Sequence, residues 1–407
     1  GWQSALKKAH HTSGQKSVIT CGCRGKGEKR LYVRALPNGD AFILVKAANT
    51  GIEHDPSCVF FSLDARHTGL KGYASGVVRI TTEGDMAVRL GIGMTEKDPP
   101  EKSEVPPLPH VQRPEGGQAS MTLLGLLSLL WTESGLNVWY PKMAGKRNDS
   151  LVRYRLLETA KQIRTGRACI GDHLFIGVPD PKQPVAQSQI QRLSSQAMSD
   201  KRLMLLSVLP RYDAEKHEKP LKFLPLRNFG GLPLIFFNSE VHWDSVKKRF
   251  SSEYAAWKSG AKIVVFALTS PAAVTGRGPS VRAHQIVLMH VSENWIPLDS
   301  SYEAVVAEKL DAEHRQYVKP MRYDASISEV FPDFYLLDTK SDKPFPMEVF
   351  GMATPAYLAR KQLKKDYYNR EYGPYGWWHW DATTASETMV LPHFPESRKP
   401  LSTDTPA

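Results

Sequence analysis

Cysteine is scarce in this chain, with only four among 407 residues. A secreted protein that depends on disulfide bonds usually carries more, and no signal-peptide pattern precedes the first cysteine. We therefore expect the chain to work in a reducing, cytoplasmic compartment. In that setting cysteines bind metals or pack as small apolar side chains.

Long hydrophobic runs are missing as well. A helix that crosses a bilayer needs about 20 apolar residues, and the nearest run, Met121 to Trp131, has roughly half that length. The sequence therefore predicts no membrane-spanning helix and no membrane partner.

Acidic residues are in the minority. The chain has 42 Asp and Glu against 53 Lys and Arg, which gives a formal net charge of +11 and a pI near 9.3. This balance favours an anionic partner, and the phosphate backbone of DNA is the commonest one. A nucleotide-binding loop is absent, because the Gly-rich stretch Thr275 to Gly278 lacks the Lys-Ser or Lys-Thr pair. We interpret the surrounding residues 272–282 as an exposed loop.

Three cysteines and one histidine frame a predicted β-hairpin at residues 30–45, whose turn contains Asn-Gly. Three thiols and one imidazole are the ligand set of a closed structural zinc site. The four candidate zinc ligands are Cys21, Cys23, His54 and Cys58. A disulfide and ordinary free thiols are the alternatives, and the fourth cysteine, Cys169, is expected to pack as an apolar residue.

Near the C-terminus, two strand-like runs each carry a carboxylate. Asp333 enters the run that ends at Asp338, and Glu348 lies in the next run, Met347 to Met352. Two carboxylates side by side on a sheet offer the hard oxygen ligands that Mg²⁺ prefers. A helix with several lysines, from Tyr357 to Tyr368, follows these runs.

This segment resembles the PD-(D/E)XK nucleases, which cleave phosphodiester bonds with Mg²⁺ or Mn²⁺. In that family a lysine follows the second acidic residue by two places, whereas here Val349 and Phe350 follow Glu348. Lys361 and Lys364 share one face of the following helix, and one of them could replace the missing strand lysine. A solvated basic helix is the alternative interpretation.

Glu303 is a further candidate for this site. It heads the apolar face of a predicted helix, Ser300 to His314, and a glutamate on the first core helix of such nucleases often reaches the metal. The same residues, Ser300 to Glu303, also match a capping box, in which the glutamate only binds the N-cap backbone.

Basic residues in the middle of the chain suggest DNA contacts. Two predicted helices and a strand pair at residues 118–199 are typical of a winged-helix module, and its second helix, Ser150 to Arg164, is rich in arginine. A packing helix with a basic outer face is the alternative. The candidate nucleic-acid-binding residues are Arg153, Lys161, Arg164, Lys319 and Arg322.

The sequence thus predicts an α+β multidomain protein. We expect a zinc-binding β-rich module at residues 1–95, a linker at 96–117, the winged-helix-like module at 118–199, a nuclease-like α/β domain at 200–390 and a disordered tail at 391–407. Trp377, Trp378 and Trp380 could stack on bases, although we favour a hydrophobic clamp that closes the last domain.

The cysteines at the start and the run from Leu336 to Lys364 also resemble a bacterial family known as domain of unknown function 1173. It is carried on conjugative plasmids and integrative elements. This resemblance implies a bacterial cytoplasmic setting, with DNA and other mobile-element proteins as partners, and it implies no particular activity.

Taken together, the residues predict a zinc-containing DNA-binding protein with a Mg²⁺- or Mn²⁺-dependent nuclease site. A non-catalytic accessory protein that keeps the nuclease fold is the second interpretation, favoured by the missing strand lysine. An assembly factor whose zinc module binds another protein is the third.

Overall fold

The structure is a computed structural model. It describes residues 1–11, 19–35, 42–47, 50–56, 58–63, 77–80, 85–96, 120–196, 199–239, 242–276, 278–321, 332–341, 343–383 and 390–398. Arg322 and nearly all of the predicted linker lie outside the described residues.

The described residues form a mixed α/β fold of helices and several sheets. The helices are α1 (Trp2–His11), α2 (Leu123–Glu133), α3 (Asp149–Ala160), α4 (Ile170–His173), α5 (Pro184–Gln196), α6 (Ala214–His217), α7 (His242–Arg249), α8 (Ser251–Lys258), α9 (Ser301–Ala312) and α10 (Pro355–Tyr372).

The strands are β1 (Ile19–Thr20), β2 (Arg30–Ala35), β3 (Phe42–Lys46), β4 (Val78–Ile80), β5 (Met86–Val88), β6 (Val138–Trp139), β7 (Ile163–Thr165), β8 (Ala168–Cys169), β9 (Leu174–Ile176), β10 (Leu203–Val208), β11 (Leu234–Phe236), β12 (Lys262–Thr269), β13 (Ala273–Thr275), β14 (Gly278–Val291), β15 (Tyr317–Val318), β16 (Phe334–Leu336), β17 (Phe345–Phe350) and β18 (Trp378–Asp381).

The N-terminal sheet has the order β1-β2-β3, with antiparallel neighbours. Helix α1 lies against it, since the side chain of Gln3 both donates to Phe42 O (3.0 Å) and accepts from Phe42 N (2.7 Å). The predicted hairpin strands are therefore present, and the residues of the turn between them lie outside the described part of the chain.

The largest sheet lies at the centre of the hydrophobic core. Its order is β11-β14-β12-β10-β9, and all six residues of β10 are buried. Helices α2 and α8 both contact β12 and β14, which explains why these strands are apolar on both faces. Strand β9 precedes residue 199 and pairs with β10, which follows it. The hydrogen bonds of one sheet therefore cross the predicted boundary between the middle module and the C-terminal domain.

The C-terminal sheet has the order β18-β17-β16-β15-β6. Side chains of β16 and β17 alternate between its two faces. Phe334 and Met347 point to one face and pack with the apolar side of α9, whereas Phe350 points to the other face and packs with Tyr368 of α10. The sheet is therefore covered by one helix on each face. Strand β6 comes from the middle region, so this sheet also joins distant parts of the chain.

A fourth sheet, β4-β5-β7-β8, joins the N-terminal region to the middle region. Strand β7 occupies residues that we predict as the end of one long helix. Helix α3 ends at Ala160 with Lys161 as its C-cap, and Arg164 lies on β7. The predicted helix Ser150 to Arg164 is thus wrong in its last turn.

Two segments predicted to be irregular are ordered. Residues 273–275 of β13 and 278–282 of β14 lie in paired strands, so the expected loop is wrong for these residues. Residues 391–398, at the start of the predicted tail, contact the C-terminal domain: Trp378 Nε1 donates to His393 O (3.1 Å), and the rings of Trp378 and Phe394 lie 5.3 Å apart. This contact buries apolar surface, which a free tail would leave in water. No helix of the described residues is long and apolar enough to span a membrane.

The edge of the central sheet yields a test. The buried side chain of Gln189, on α5, binds the open edge of β9 by donating to Ile176 O (3.1 Å) and accepting from Ile176 N (3.3 Å). Gln189→Ala leaves both backbone groups unpaired and should destabilise the protein by about 1–3 kcal/mol. Urea unfolding measures this change. Gln187→Ala, an exposed glutamine on the same helix, is the control, and equal effects of the two changes would contradict the assigned role.

Candidate metal centre and carboxylate site

The four predicted zinc ligands come together in the structure. Cys21 Sγ lies 3.7 Å from Cys58 Sγ, and His54 Nδ1 lies 3.6 Å from Cys23 Sγ and 3.7 Å from Cys58 Sγ. All four ligand atoms are within 4.8 Å of one another. Thiolates and an imidazole bound tetrahedrally to one zinc ion stand about 3.6–3.8 Å apart. The cluster could therefore hold a metal such as zinc.

Backbone groups position the sulfur atoms. Asp55 N lies 3.4 Å from Cys23 Sγ, and Phe60 N lies 3.5 Å from Cys58 Sγ, so each thiolate would accept an N–H hydrogen bond. Gly25 allows the two halves of the cluster to approach, because a Cβ at this position would lie 2.0 Å from Glu53 O. The local backbone is thus shaped to bring residues 21–25 against residues 53–58.

The electrostatics of the cluster also suit a cation. Burial raises the pKa of the Cys58 thiol to about 12, so a thiolate there needs a positive neighbour to form at neutral pH. Burial lowers the pKa of His54, which keeps its imidazole neutral and its Nδ1 able to bind a metal. The other ring nitrogen, Nε2, is buried without a hydrogen-bond partner in the described part of the chain.

This Cys/His cluster is docked on the C-terminal sheet. Tyr140 OH donates to Cys58 O (2.7 Å), and Gln316 Nε2 donates to Pro56 O (2.9 Å). Next to these bonds, Phe61 and Leu63 pack with apolar side chains of the sheet, including Tyr335. The segment that carries the Cys/His cluster and the strands that carry Asp333 and Glu348 therefore share a packed interface.

Asp333 and Glu348 lie on neighbouring antiparallel strands. Phe334 of β16 pairs with Met347 of β17, so the same register sets Asp333 opposite Glu348. Val349 N donates to Asp333 Oδ2 at 2.8 Å, and both carboxylates are buried. Residues opposite each other in an antiparallel pair point to the same face, which here is the face under α10.

Glu348 is held from two sides by α10. Lys364 Nζ forms an ion pair with Glu348 Oε1, and Tyr368 OH donates to Glu348 Oε2 at 3.0 Å. Burial and the charge of Asp333 raise the pKa of Glu348 to about 7, against the opposing effect of Lys364. Glu348 therefore exchanges a proton close to neutral pH, as a metal ligand or proton acceptor can.

Lys361 lies elsewhere on the same helix face. Its Nζ forms an ion pair with Asp381 of β18 and lies 5.2 Å from the centre of the Phe350 ring. Of the two predicted lysines, the structure thus brings Lys364 to the carboxylates and Lys361 to a neighbouring strand.

Glu303 belongs to a buried charge cluster on the α9 side. Its Oε2 accepts from Lys319 Nζ (2.7 Å) and from Asp299 N (2.9 Å), while Ser300 Oγ accepts from Glu303 N (3.2 Å). Burial raises the pKa of Glu303 to about 8, with a further contribution from Asp333. Ser300 thus caps the start of α9 as the capping box predicts, whereas the Glu303 side chain binds the N–H of Asp299, one residue before the N-cap, and the ammonium of Lys319.

The three carboxylates do not converge as a set. Across the described ranges, the only group of three or more Cys, His, Asp or Glu ligand atoms close enough for one ion is the Cys/His cluster. A cation near Asp333 and Glu348 would therefore have two carboxylate neighbours, with Glu303 at a greater distance.

The predicted DNA-contacting residues occupy different settings. Arg153 is partly buried, and its Nε has no hydrogen-bond partner among the described residues. Lys161 pairs with Glu158, and Arg164 pairs with Asp85 at 2.8 Å. Lys319 is buried beside Glu303, so its ammonium group does not lie on the surface where phosphates bind.

The sequence places Tyr368 on one helical face with Lys361 and Lys364 but indicates no contact with Glu348. Sequence reasoning missed Asp381. Asp381 follows the Trp377–Trp380 cluster, where no motif points to an ion pair. These tryptophans are buried, which is consistent with the hydrophobic clamp.

Residues 1–383 match the family described as protein of unknown function (DUF1173). The chain belongs to this family. No curated protein and no solved structure shows significant similarity to it. The family description names no activity, so the function of this DUF1173 protein has to be argued from its residues.

The Cys/His cluster predicts bound metal. Protein purified without added metal should contain about one ion per chain by elemental analysis, because thiolate sites bind zinc-like ions tightly. Cys23→Ser should lose the ion and lower the melting temperature. Cys169→Ser, which alters the cysteine outside the cluster, should retain the ion, and similar metal content in both variants would refute the site.

The raised pKa of Glu348 predicts a pH effect on stability. An unfolded glutamate ionises near pH 4.3, whereas the folded group ionises near pH 7, so the folded state binds more protons in this window. Stability should therefore fall as pH rises from about 4.3 to about 7. Glu348→Gln should flatten this slope in urea unfolding. Glu303 remains in both proteins, so the difference isolates Glu348, and identical slopes would contradict the raised pKa.

Proposed function

We propose that this DUF1173 protein binds a structural zinc ion through Cys21, Cys23, His54 and Cys58. We further propose that it is a metal-dependent deoxyribonuclease whose site contains Asp333, Glu348 and Lys364. Its substrate would be the DNA of a bacterial mobile element in the cytoplasm. Zinc is favoured because three sulfurs and one nitrogen at tetrahedral spacing are a set that zinc prefers over harder ions.

The observation that carries the nuclease proposal is the pairing of Asp333 and Glu348 at facing positions on adjacent strands. Buried carboxylates are costly, and burial together with the charge of Asp333 raises the pKa of Glu348. A protein that only needed a stable core would gain by placing apolar residues there. The arrangement is instead what a divalent cation requires, since Asp333 and Glu348 offer hard oxygen ligands from one face.

Mg²⁺ or Mn²⁺ bound there would polarise a phosphodiester and make an attacking water more acidic. The side chains have separate tasks. Asp333 accepts from Val349 N, which holds one of its carboxylate oxygens in a set direction. Tyr368 fixes one oxygen of Glu348 and leaves the other, which now pairs with Lys364, for the cation.

Lys364 supports the proposal because its ammonium group lies beside Glu348, while the strand lysine of the PD-(D/E)XK nucleases is missing from this chain. With a cation held by Glu348, the Lys364 ammonium would be available beside a bound phosphate, where it would orient water and offset charge that develops on the phosphate oxygens. Lys361 is engaged by Asp381 and is assigned no such task.

A non-catalytic accessory role is the second candidate. The Lys364–Glu348 ion pair favours it, because a carboxylate neutralised by lysine can persist as a structural pair with no metal. In this case the sheet would keep its shape for nucleic-acid binding. The overall positive charge suits DNA under both interpretations.

The nuclease proposal is tested by cleavage. Purified protein with Mg²⁺ or Mn²⁺ should nick or cut plasmid and branched DNA, and gel electrophoresis measures the products. Asp333→Ala and Glu348→Ala should abolish cleavage, because each removes a metal ligand. Tyr368→Phe should reduce activity about 10- to 100-fold, as loss of a ligand-orienting group does.

Two lysine variants provide the matched control. Lys364→Met should lose cleavage while Mn²⁺ binding persists, whereas Lys361→Met should retain most of the activity. Cleavage that survives the Asp333 and Glu348 changes would contradict the site. Absence of both cleavage and Mn²⁺ binding in the unaltered protein would favour the accessory role.

A further inference from the structure

The central sheet exposes a row of aromatic and basic side chains. Phe223 pairs with Phe236 across an antiparallel bridge, and Phe236 pairs with Arg282 in the parallel β11–β14 ladder. Residues paired in this way point to the same side of a sheet. We refer to Phe223, Phe236 and Arg282 as the aromatic row.

The next residues along the same strands show which side is which. Leu224, Ile235 and Val281 have at most 3% of their surface exposed and belong to the central core. Phe223 and Phe236, which point the other way, are 49% and 38% exposed, and Arg282 is also exposed. The sheet thus has an apolar core face and a solvent face on which two phenylalanines lie side by side.

Neighbouring phenylalanines on a solvent face call for an explanation. Single apolar residues on a protein surface are ordinary, but neighbouring ones mark a place where another molecule binds. Each ring presents a flat face of the size that a nucleic-acid base covers, and base–aromatic stacking tolerates any base.

Charge complementarity identifies the occupant. The described residues of the segments that build this surface, 219–239 and 270–283, include four basic residues and no Asp or Glu. The basic residues are Lys219, Lys222, Arg227 and Arg282. Aromatic rings on segments that carry these basic residues fit a polyanion that carries flat, apolar groups.

We propose that the aromatic row binds single-stranded nucleic acid by stacking unpaired bases on Phe223 and Phe236, with Arg282 contacting the adjacent phosphate. The inference rests on the proposed nucleic-acid function and adds the class of strand that is bound. Duplex DNA cannot use this surface, because its bases are stacked on one another inside the helix.

The row belongs to a different sheet from the carboxylates. Strands β11 and β14 form the central sheet, whereas Asp333 and Glu348 lie on β16 and β17. Strand binding and cleavage can therefore be measured separately, and failure of one leaves the other standing.

Fluorescence anisotropy with a labelled oligothymidine of about 12 nucleotides measures the binding, with full-length protein and no added Mg²⁺. Phe223→Ala and Phe236→Ala should each weaken binding at least about fivefold, the lower end of the effect of losing one stacked base. Phe236→Tyr should bind normally, since it keeps an aromatic face. Arg282→Gln should weaken binding and reduce its salt dependence, because a phosphate contact is lost.

Leu363→Ala is the matched control, since Leu363 is an exposed apolar residue on α10, away from the row. Its binding should be unchanged. An oligothymidine carrying photoreactive iodouracil should crosslink to Phe223 or Phe236, as mass spectrometry of the peptides would show. Unchanged affinity in the Phe223→Ala/Phe236→Ala double variant would overturn the proposal. So would an equal loss of affinity for duplex and for single-stranded DNA.

Discussion

A buried carboxylate needs a cation or a hydrogen-bond donor beside it, and this constraint governs the C-terminal sheet. On one face Glu303 is met by Lys319, which reaches it from the strand next to α9. On the other face Glu348 is met by Lys364, which reaches it from α10. Each helix is thereby fixed to its face by charge as well as by apolar packing. Asp333 lies between the two clusters, and its negative charge contributes to the raised pKa of both Glu303 and Glu348.

The Cys/His cluster could be anticipated from the sequence because its ligands are close in sequence and of unmistakable chemistry. Cys21 and Cys23 are separated by one residue, and His54 and Cys58 by three. The only long-range contact to be predicted was therefore the one between these two pairs. The strand pair carrying Asp333 and Glu348 was also readable, since a short polar link between two apolar runs favours antiparallel neighbours. The roles of Lys361 and Lys364 were harder to distinguish. Helical spacing shows that the two residues share a face, but it does not show which of them lies over Glu348.

Long-range pairings were beyond the sequence. Nothing in Val138 and Trp139 shows that they extend a sheet whose other strands begin at Tyr317, since a two-residue strand has no readable period. Strands β9 and β10 likewise pair across a polar stretch that contains helix α5, and no sequence pattern marks them as neighbours. The burial of Lys319 was unforeseeable for a similar reason, because its partner Glu303 is defined only when α9 packs on the sheet.

The docking of the Cys/His cluster on the C-terminal sheet has a consequence for the synthesis of the chain. Gln316, which binds Pro56 O, follows it by 260 residues, and strands β16 and β17 come later still. At about 5–20 residues per second, the ribosome needs roughly 13–50 s to make that intervening stretch. Residues 19–63 thus emerge from the ribosome long before the surface that buries Phe61 and Leu63. We expect metal binding to hold this early segment in shape until the C-terminal sheet has been synthesised.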